Sequence, residues 1–240
     1  MIYISVAIGL ILLVSIIVYL YFRFSPEKKA LRLQKKQEKQ KRLEDIEAQR
    51  LLDEYKNSEL TGVEVGKLYE RYIGYLYEQE GYDVQYNGAV NGYKDLGRDL
   101  IVKTDDEIYI VQTKRWANRK TIKEKHIFQL FGSMTHFKQT SDINGYTVKA
   151  VFFTSAKFTN SARKAAEVLG VELVIKSLDS SYPMIKCNIS QSGEKIYHLP
   201  MDPYYDKIKI RADQGNFYVH TVEEAAKRGF RRAQNYKYAA

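Results

Sequence analysis

Asp99 stands at the head of the stretch "DLIVK" (99–103), and Gln112 and Lys114 close the stretch "EIYIVQTK" (107–114). Both stretches read as short strands, with the acidic pair Asp105-Asp106 at the turn between them. A hairpin centred on that pair sets Val102 against Tyr109 and Ile101 against Ile110, and Asp99 falls opposite Gln112. Period-two alternation puts Lys114 on the same face, with Ile101, Ile108 and Ile110 deeper along it. A register slip of one residue would send these side chains to the other face.

A carboxylate, an amide oxygen and an ammonium gathered at the open end of a hairpin have a chemical use. The two oxygens suit a hard divalent cation such as Mg²⁺ or Mn²⁺, with waters completing its shell. Such a cation lowers the pKa of a bound water and steadies charge on a phosphoryl oxygen. Lys114 would hold the attacking hydroxide or stabilise the charge of the transition state. This is equipment for hydrolysing a phosphodiester, and Glu70, on the edge of a preceding helix, would add a second carboxylate to the metal shell. The competing reading is structural: Asp99 as a solvent-facing strand start, Gln112 and Lys114 as ordinary strand-end residues, Glu70 as a solvated helix-edge glutamate. The segment that follows, "KRWANRKTIKEK" (114–125), holds six basic residues and one acid. Arg115, Arg119, Lys120 and Lys123 would supply phosphate contacts, and Trp116 a stacking ring.

The elements that must position these residues are legible on either side. Thr61 and Glu64 form a capping box, and Val65, Leu68, Tyr69, Tyr72, Ile73, Leu76 and Tyr77 recur at helical spacing up to Gly81. "YDVQY" reads as a strand, and a Gly/Asn-rich loop leads into the hairpin. A basic, helix-prone segment runs to about Lys138. "TVKAVFFTS" is an apolar strand, "TNSARKAAEVLG" a helix capped near Thr159 or Asn160 and stopped at Gly170, and "VELVIK" a last strand. The order is helix, then β-β-β-α-β-α-β, which predicts a mixed α/β sandwich.

Outside this core the composition changes. Residues 2–22 carry no charged side chain and are long enough to cross a bilayer as one helix. A signal peptide would need a basic start, a shorter apolar run and a small-residue cleavage site, none of which is clear here. Arg23, Lys28, Lys29 and Arg32 follow the span and no basic side chain precedes it, so the positive-inside rule places the bulk of the chain in the cytoplasm, below the plasma (inner) membrane. Residues 26–57 are highly charged, with apolar positions too sparse for a coiled-coil seam. They predict a solvated helical stalk about 45 Å long; an electrostatic clamp on anionic lipid or DNA is the alternative. Beyond Pro183 the tail predicts a small module of two short strands, a turn and a helix capped by Thr221 and Glu224.

The 240 residues carry a net charge of +9, a balance suited to a polyanion or an anionic membrane surface. The single cysteine, Cys187, excludes an internal disulfide framework and a Cys-rich zinc site.

Residues 61–178 resemble the Mrr-type restriction endonuclease catalytic domain of the PD-(D/E)xK superfamily. The resemblance is carried by "YERYIGYLYEQEGYDV", "GRDLIVK", "IVQTKRW", "IFQLFGSM" and "VFFTSAKFTNSARKAAEVLGVELV". It implies a restriction-endonuclease-like α/β fold with a mixed sheet flanked by helices, a catalytic set of Asp99, Gln112 and Lys114, and Glu70 in the place of the family's helix glutamate. It also singles out Gln129, matching a recurring glutamine that serves either DNA contact or packing. Arg98 stands where the superfamily name implies proline, and Gln112 where many members carry Glu. The tail resembles the small sunset-type module, similar to the Ada metal-binding fold, through "NIS-x3-EKIYHLP", "YYD" and "EEA-x3-GFRRA". It lacks the cysteines of zinc-binding relatives, so no zinc is expected and His198 reads as a packed histidine. The expected organisation is an anchor at 1–24, a stalk at 25–59, a nuclease domain at 60–180 and a small α+β module at 181–240. The expected activity is metal-dependent cleavage of double-stranded DNA, probed against two rivals: a tethered DNA-binding or adaptor protein with an inactive nuclease fold, and a ribonuclease. Self-association into a homo-oligomer is compatible with this reading.

Overall fold

The computed structural model describes residues 2–88, 96–116 and 120–234. It divides into two compact units, Met1–Glu47 and Ala48–Ala240.

The first unit contains helix α1 (Ile2–Phe24) and the beginning of helix α2 (Pro26–Asn57). Among the described residues one helical stretch is long and apolar enough to cross a membrane by length and composition. The residues of α1 from Leu10 to Phe22 expose their large apolar side chains. Ser25 precedes Pro26 at the first position of α2, and its hydroxyl accepts the Lys28 amide at 3.4 Å.

The second unit opens with the last turns of α2, and here the structure departs from the expected solvated stalk. Ala48 and Leu52, four residues apart on one helix face, are buried in an apolar cluster with Ile185, Tyr197, Leu199, Val219 and Phe230. Gln49 adds a polar tie, its side-chain oxygen accepting the Val222 amide at 2.8 Å. Two apolar residues at this spacing are too few to stand out from a charged helix in sequence, yet they suffice to dock it.

Helix α3 (Gly62–Gln79) starts at the capping box formed by Thr61 and Glu64. The sheet that follows has the order β1-β2-β3-β5-β7, with β1 (Asp83–Tyr86), β2 (Leu100–Lys103), β3 (Glu107–Lys114), β5 (Thr147–Thr154) and β7 (Val171–Ile175). β1, β2 and β3 are antiparallel neighbours, whereas β3, β5 and β7 run parallel. Between β3 and β5 lies helix α4 (Glu124–Thr140), and between β5 and β7 helix α5 (Asn160–Leu169). Helix α5 starts at Thr159, whose hydroxyl accepts the Ala162 amide, and stops at Gly170 in the left-handed conformation. Two two-residue strands, β4 (Thr121–Ile122) and β6 (Lys157–Phe158), pair beside the main sheet and were not legible in sequence.

Alternation along the strands separates two cores. Leu100, Val102, Val111, Val151 and Phe153 face Leu68, Tyr69, Tyr72 and Ile73 of α3. Ile108, Ile110, Ala150 and Phe152 face Ile127, Leu130 and Met134 of α4 and Ala162 and Ala166 of α5. Strand β5 is covered on both faces, which is why "AVFFT" reads as one continuous apolar run. The result is a mixed α/β sandwich, a sheet between helices, as expected from the element order.

The tail forms a second sheet of order β10-β8-β9-β11, from β8 (Ile185–Ile189), β9 (Lys195–His198), β10 (Phe217–Val219) and β11 (Arg231–Arg232). It has two strands more than the sequence suggested, because β10 and β11 are only three and two residues long. Helix α6 (Val222–Lys227) is capped by Thr221, as expected. Cys187 is buried in this layer, and burial pushes its thiol up to about 12.

Candidate active site

The β2–β3 register pairs Val102 with Tyr109 and Ile101 with Ile110, as the hairpin centred on Asp105-Asp106 requires. The ladder changes at its open end. Leu100 is the register partner of Val111, and the Asp99 amide also donates to the Val111 carbonyl at 2.9 Å. Two residues of one strand are thus tied to one of the other, which is the sense of a β-bulge. Asp99 therefore does not simply face Gln112. Its Oδ2 accepts from the Thr113 amide at 2.6 Å and the Thr113 hydroxyl at 3.0 Å.

The turn before Asp99 is held by α4. Leu96 (φ 57°) and Gly97 (φ 74°) are both left-handed, a conformation that is strained for leucine. The Ser133 hydroxyl of α4 donates to the Leu96 carbonyl. A Cβ at Gly97 would lie 3.2 Å from the Gln129 side-chain nitrogen and 3.5 Å from that of Gln112. Gln129 is itself exposed, and its amide packs against the turn that aims Asp99.

Glu70 is 8 % exposed, not the solvated helix-edge residue that composition alone allows. Its carboxylate packs on Gly88, where any Cβ would come within 3.0 Å of Oε2. The Gly88 and Asn87 amides donate to the Asp99 carbonyl at 3.0 and 2.8 Å. Gly88 thus lies between the Glu70 carboxylate and the Asp99 backbone.

Gln112 is 7 % exposed, and its Oε1 is buried with no hydrogen-bond partner among the described residues. An unmet buried carbonyl oxygen is costly, and a bound cation would meet it. Among the described residues no group of three or more His, Cys, Asp and Glu could hold a metal. A cation here would draw on the amide oxygen of Gln112 and on waters as well as carboxylates, a donor set of hard oxygens that fits Mg²⁺ or Mn²⁺.

Lys114 is half-buried. Burial holds its ammonium below the ordinary lysine range, the Asp99 charge works against that shift, and Lys125 adds to it. Its carbonyl accepts the Thr154 hydroxyl at 2.7 Å, across the β3–β5 pairing. The Lys114 Nζ stands 5.1 Å from the centre of the Trp116 ring.

Residues 65–177 match the family model Mrr_cat, described as a restriction endonuclease. That stretch is similar to a restriction endonuclease domain. It contains every strand of the main sheet and both α4 and α5. No curated protein matches the chain. Two solved structures are similar: a protein of unknown function, AF1548, at 22 % identity over 44 % of this chain and 56 % of that one (TM-score 0.35), and EndoMS in its apo form, at 14 % identity over 51 % and 49 % (TM-score 0.33). The chain spans about half the length of each.

Within the Mrr_cat stretch the basic segment after β3 is only partly described. Arg115, Lys120 and Lys123 are exposed, and Lys125 joins them on the first turn of α4. Arg119 lies outside the described residues. Trp116 is half-buried against the α4 core and meets His126 edge to face, with ring centroids 5.2 Å apart at 82°. The sequence reading passed over four residues that the fold brings to this end: Thr113, which holds the Asp99 carboxylate; Ser133, which holds the turn before it; Thr154, which holds the Lys114 backbone; and His126. Thr113 had a signal, as the middle residue of Gln-Thr-Lys. The other three come from distant elements and had none.

Proposed function

We propose that this protein is a metal-dependent endonuclease that hydrolyses DNA phosphodiester bonds, tethered to the plasma membrane by residues 2–22 with the nuclease domain in the cytoplasm, and acting in restriction of foreign DNA. The observation that carries the chemistry is the buried, orphaned Oε1 of Gln112, two residues from Lys114 on β3, within a stretch that matches a restriction endonuclease family.

Asp99, Gln112 and Glu70 would hold Mg²⁺ or Mn²⁺, which when bound supplies a water of lowered pKa and charge neutralisation at the phosphate. Asp99 is oriented by its two hydrogen bonds from Thr113. The Lys114 ammonium, set on a strand whose backbone is pinned by Thr154, would orient the attacking water and stabilise the charge that builds on the non-bridging oxygens as the bond to the leaving oxygen breaks. Arg115, Lys120, Lys123 and, outside the described residues, Arg119 would neutralise flanking phosphates. The uncharged stretch 2–22 followed by Arg23, Lys28, Lys29 and Arg32 supports the anchor and its orientation.

Nicking of supercoiled plasmid by the detergent-solubilised full chain, across a Mg²⁺ titration and with RNA in parallel, tests this reading. Mg²⁺-dependent nicking lost in Asp99→Ala and Lys114→Ala is the expected result. Binding of DNA without cleavage by well-folded wild type would transfer the proposal to a tethered adaptor. Reversing Lys120 and Lys123 to Glu should weaken DNA binding and flatten its salt dependence by about two counterions; an unchanged slope would make the patch a solvated helix end.

A further inference from the structure

The indole of Trp116 has partners that a free stacking platform would not have. The Lys114 Nζ lies 5.1 Å from the ring centre and the Lys120 Nζ 5.7 Å from it. The imidazole of His126 meets the ring at 82°. His126 is 7 % exposed, and its Nδ1 lies 3.1 Å from both the amide nitrogen and the carbonyl oxygen of Lys123 at the start of α4. These contacts with the Lys123 backbone fix the ring plane. The backbone on both sides is tied to the end of β5 and the residue after it: the Lys114 carbonyl by Thr154, the Trp116 carbonyl by the Ser155 hydroxyl at 3.3 Å.

With its backbone pinned, Lys114 keeps only the freedom of its four-carbon stem. A lysine with that freedom, drawn toward Asp99 and pushed by Lys125, has no single position. The face of an indole attracts an ammonium and restrains it at the ring, and an edge-to-face neighbour restrains the indole in turn. We infer that Trp116 is a positioning residue for Lys114, and that His126 sets the indole in place, so that α4 controls where the lysine stands. This rests on the reading of Lys114 as the lysine of the cleavage reaction. It replaces base stacking as the role of Trp116, because a base on the ring would have to displace the ammonium.

The two roles separate kinetically. With the full chain in detergent, Trp116→Leu should lower kcat for plasmid nicking about tenfold while KM and the Kd for DNA stay within about twofold. Trp116→Phe, which keeps an aromatic face, should recover most of the rate. His126→Gln keeps a side chain that can hydrogen-bond the Lys123 backbone but removes the ring, and should lower kcat severalfold with KM unchanged. A rise of about tenfold in KM and Kd at unchanged kcat for Trp116→Leu would overturn the inference in favour of base stacking, as would a Leu variant indistinguishable from wild type.

A second readout does not depend on activity. Trp116 is the sole tryptophan of the chain, so its emission reports on this contact alone. Lys114→Met and His126→Gln should each change its yield and wavelength in folded protein. Emission unchanged in both would overturn the contact itself. If wild type nicked no nucleic acid, the cleavage reading would fall, while a changed emission would still support the Lys114–Trp116–His126 arrangement.

Discussion

Glu78 and Lys186 meet in the interior of the second unit, and Asp99 and Lys114 meet at the open end of the β2–β3 hairpin. Each is a carboxylate with a lysine, but their surroundings differ. Glu78 accepts from the Tyr86 hydroxyl at 2.9 Å and from the Tyr218 hydroxyl, with the Ile210 amide at 3.4 Å from its other oxygen. Lys186 donates to the Ile208 carbonyl at 2.8 Å, lies 3.9 Å from Glu78, and stands over the rings of Tyr86 and Tyr205. Burial pushes the Glu78 carboxyl up and the Lys186 ammonium down, each opposed by the partner's charge. This assembly joins α3 and β1 to the tail sheet and its donors and acceptors are matched within the fold. At the hairpin end the polar groups are half-exposed or, for Gln112 Oε1, buried and unmet. Matched buried charge holds elements together; an unmet oxygen and an accessible ammonium keep capacity for something from outside.

The sharpest break of this comparison is in activity. Asp99→Ala and Lys114→Ala should each reduce nicking by about a hundredfold or more, while lowering stability by no more than about 2 kcal/mol. A loss of folding matching the loss of activity would put this site in the same class as the Glu78 assembly. Lys186→Met is the reverse experiment. It leaves Glu78 buried without its cation and should cost about 3–5 kcal/mol in denaturant unfolding, with the specific activity of the folded protein retained. The double variant Glu78→Gln, Lys186→Met should recover part of that loss.

His198 offers a third buried polar group for the comparison. Its ring contacts the Asn188 side-chain oxygen at 3.0 Å through Nε2, and its Nδ1 has no partner among the described residues. Burial pushes it down to about 4. The unfolded chain therefore takes up a proton at this histidine that the folded one refuses between about pH 6.5 and 4. Stability should be full above pH 6.5 and decline as pH falls toward 4, by up to about 3 kcal/mol. His198→Asn should remove that decline, as read from urea midpoints at pH 7 and pH 4.5; an unchanged decline would assign it elsewhere.

The docked end of α2 gives a slightly smaller effect. A chain cut to begin at Ser58 loses Ala48, Leu52 and the Gln49 tie, and should be less stable by about 2–3 kcal/mol than one beginning at Leu43. Equal stability would return residues 48–57 to the solvated stalk. The smallest effect expected is that of Gln112→Glu. If Gln112 ligates the metal, nicking should persist within about fivefold and its Mg²⁺ midpoint should fall. If it only supports the hairpin, the metal dependence should stay put and stability should drop from repulsion with Asp99.

Much of the architecture was legible from local rules. The capping box at Thr61, the stripe of α3, the stop at Gly170 and the register of the hairpin follow from neighbours in sequence, because helix caps and strand alternation involve residues a few positions apart. The candidate residues Asp99, Gln112, Lys114 and Glu70 were legible by type and spacing. Tertiary structure decided what each of them meets. That Asp99 leans on Thr113 follows from a bulge, that Glu70 is buried follows from Gly88 packing on it, and that Trp116 carries an ammonium follows from α4 bringing His126 to its edge. Likewise the burial of Ala48 and Leu52 requires a sheet that begins more than a hundred residues later. Contacts between residues so far apart leave no periodic trace along the chain, so only the folded arrangement could supply them.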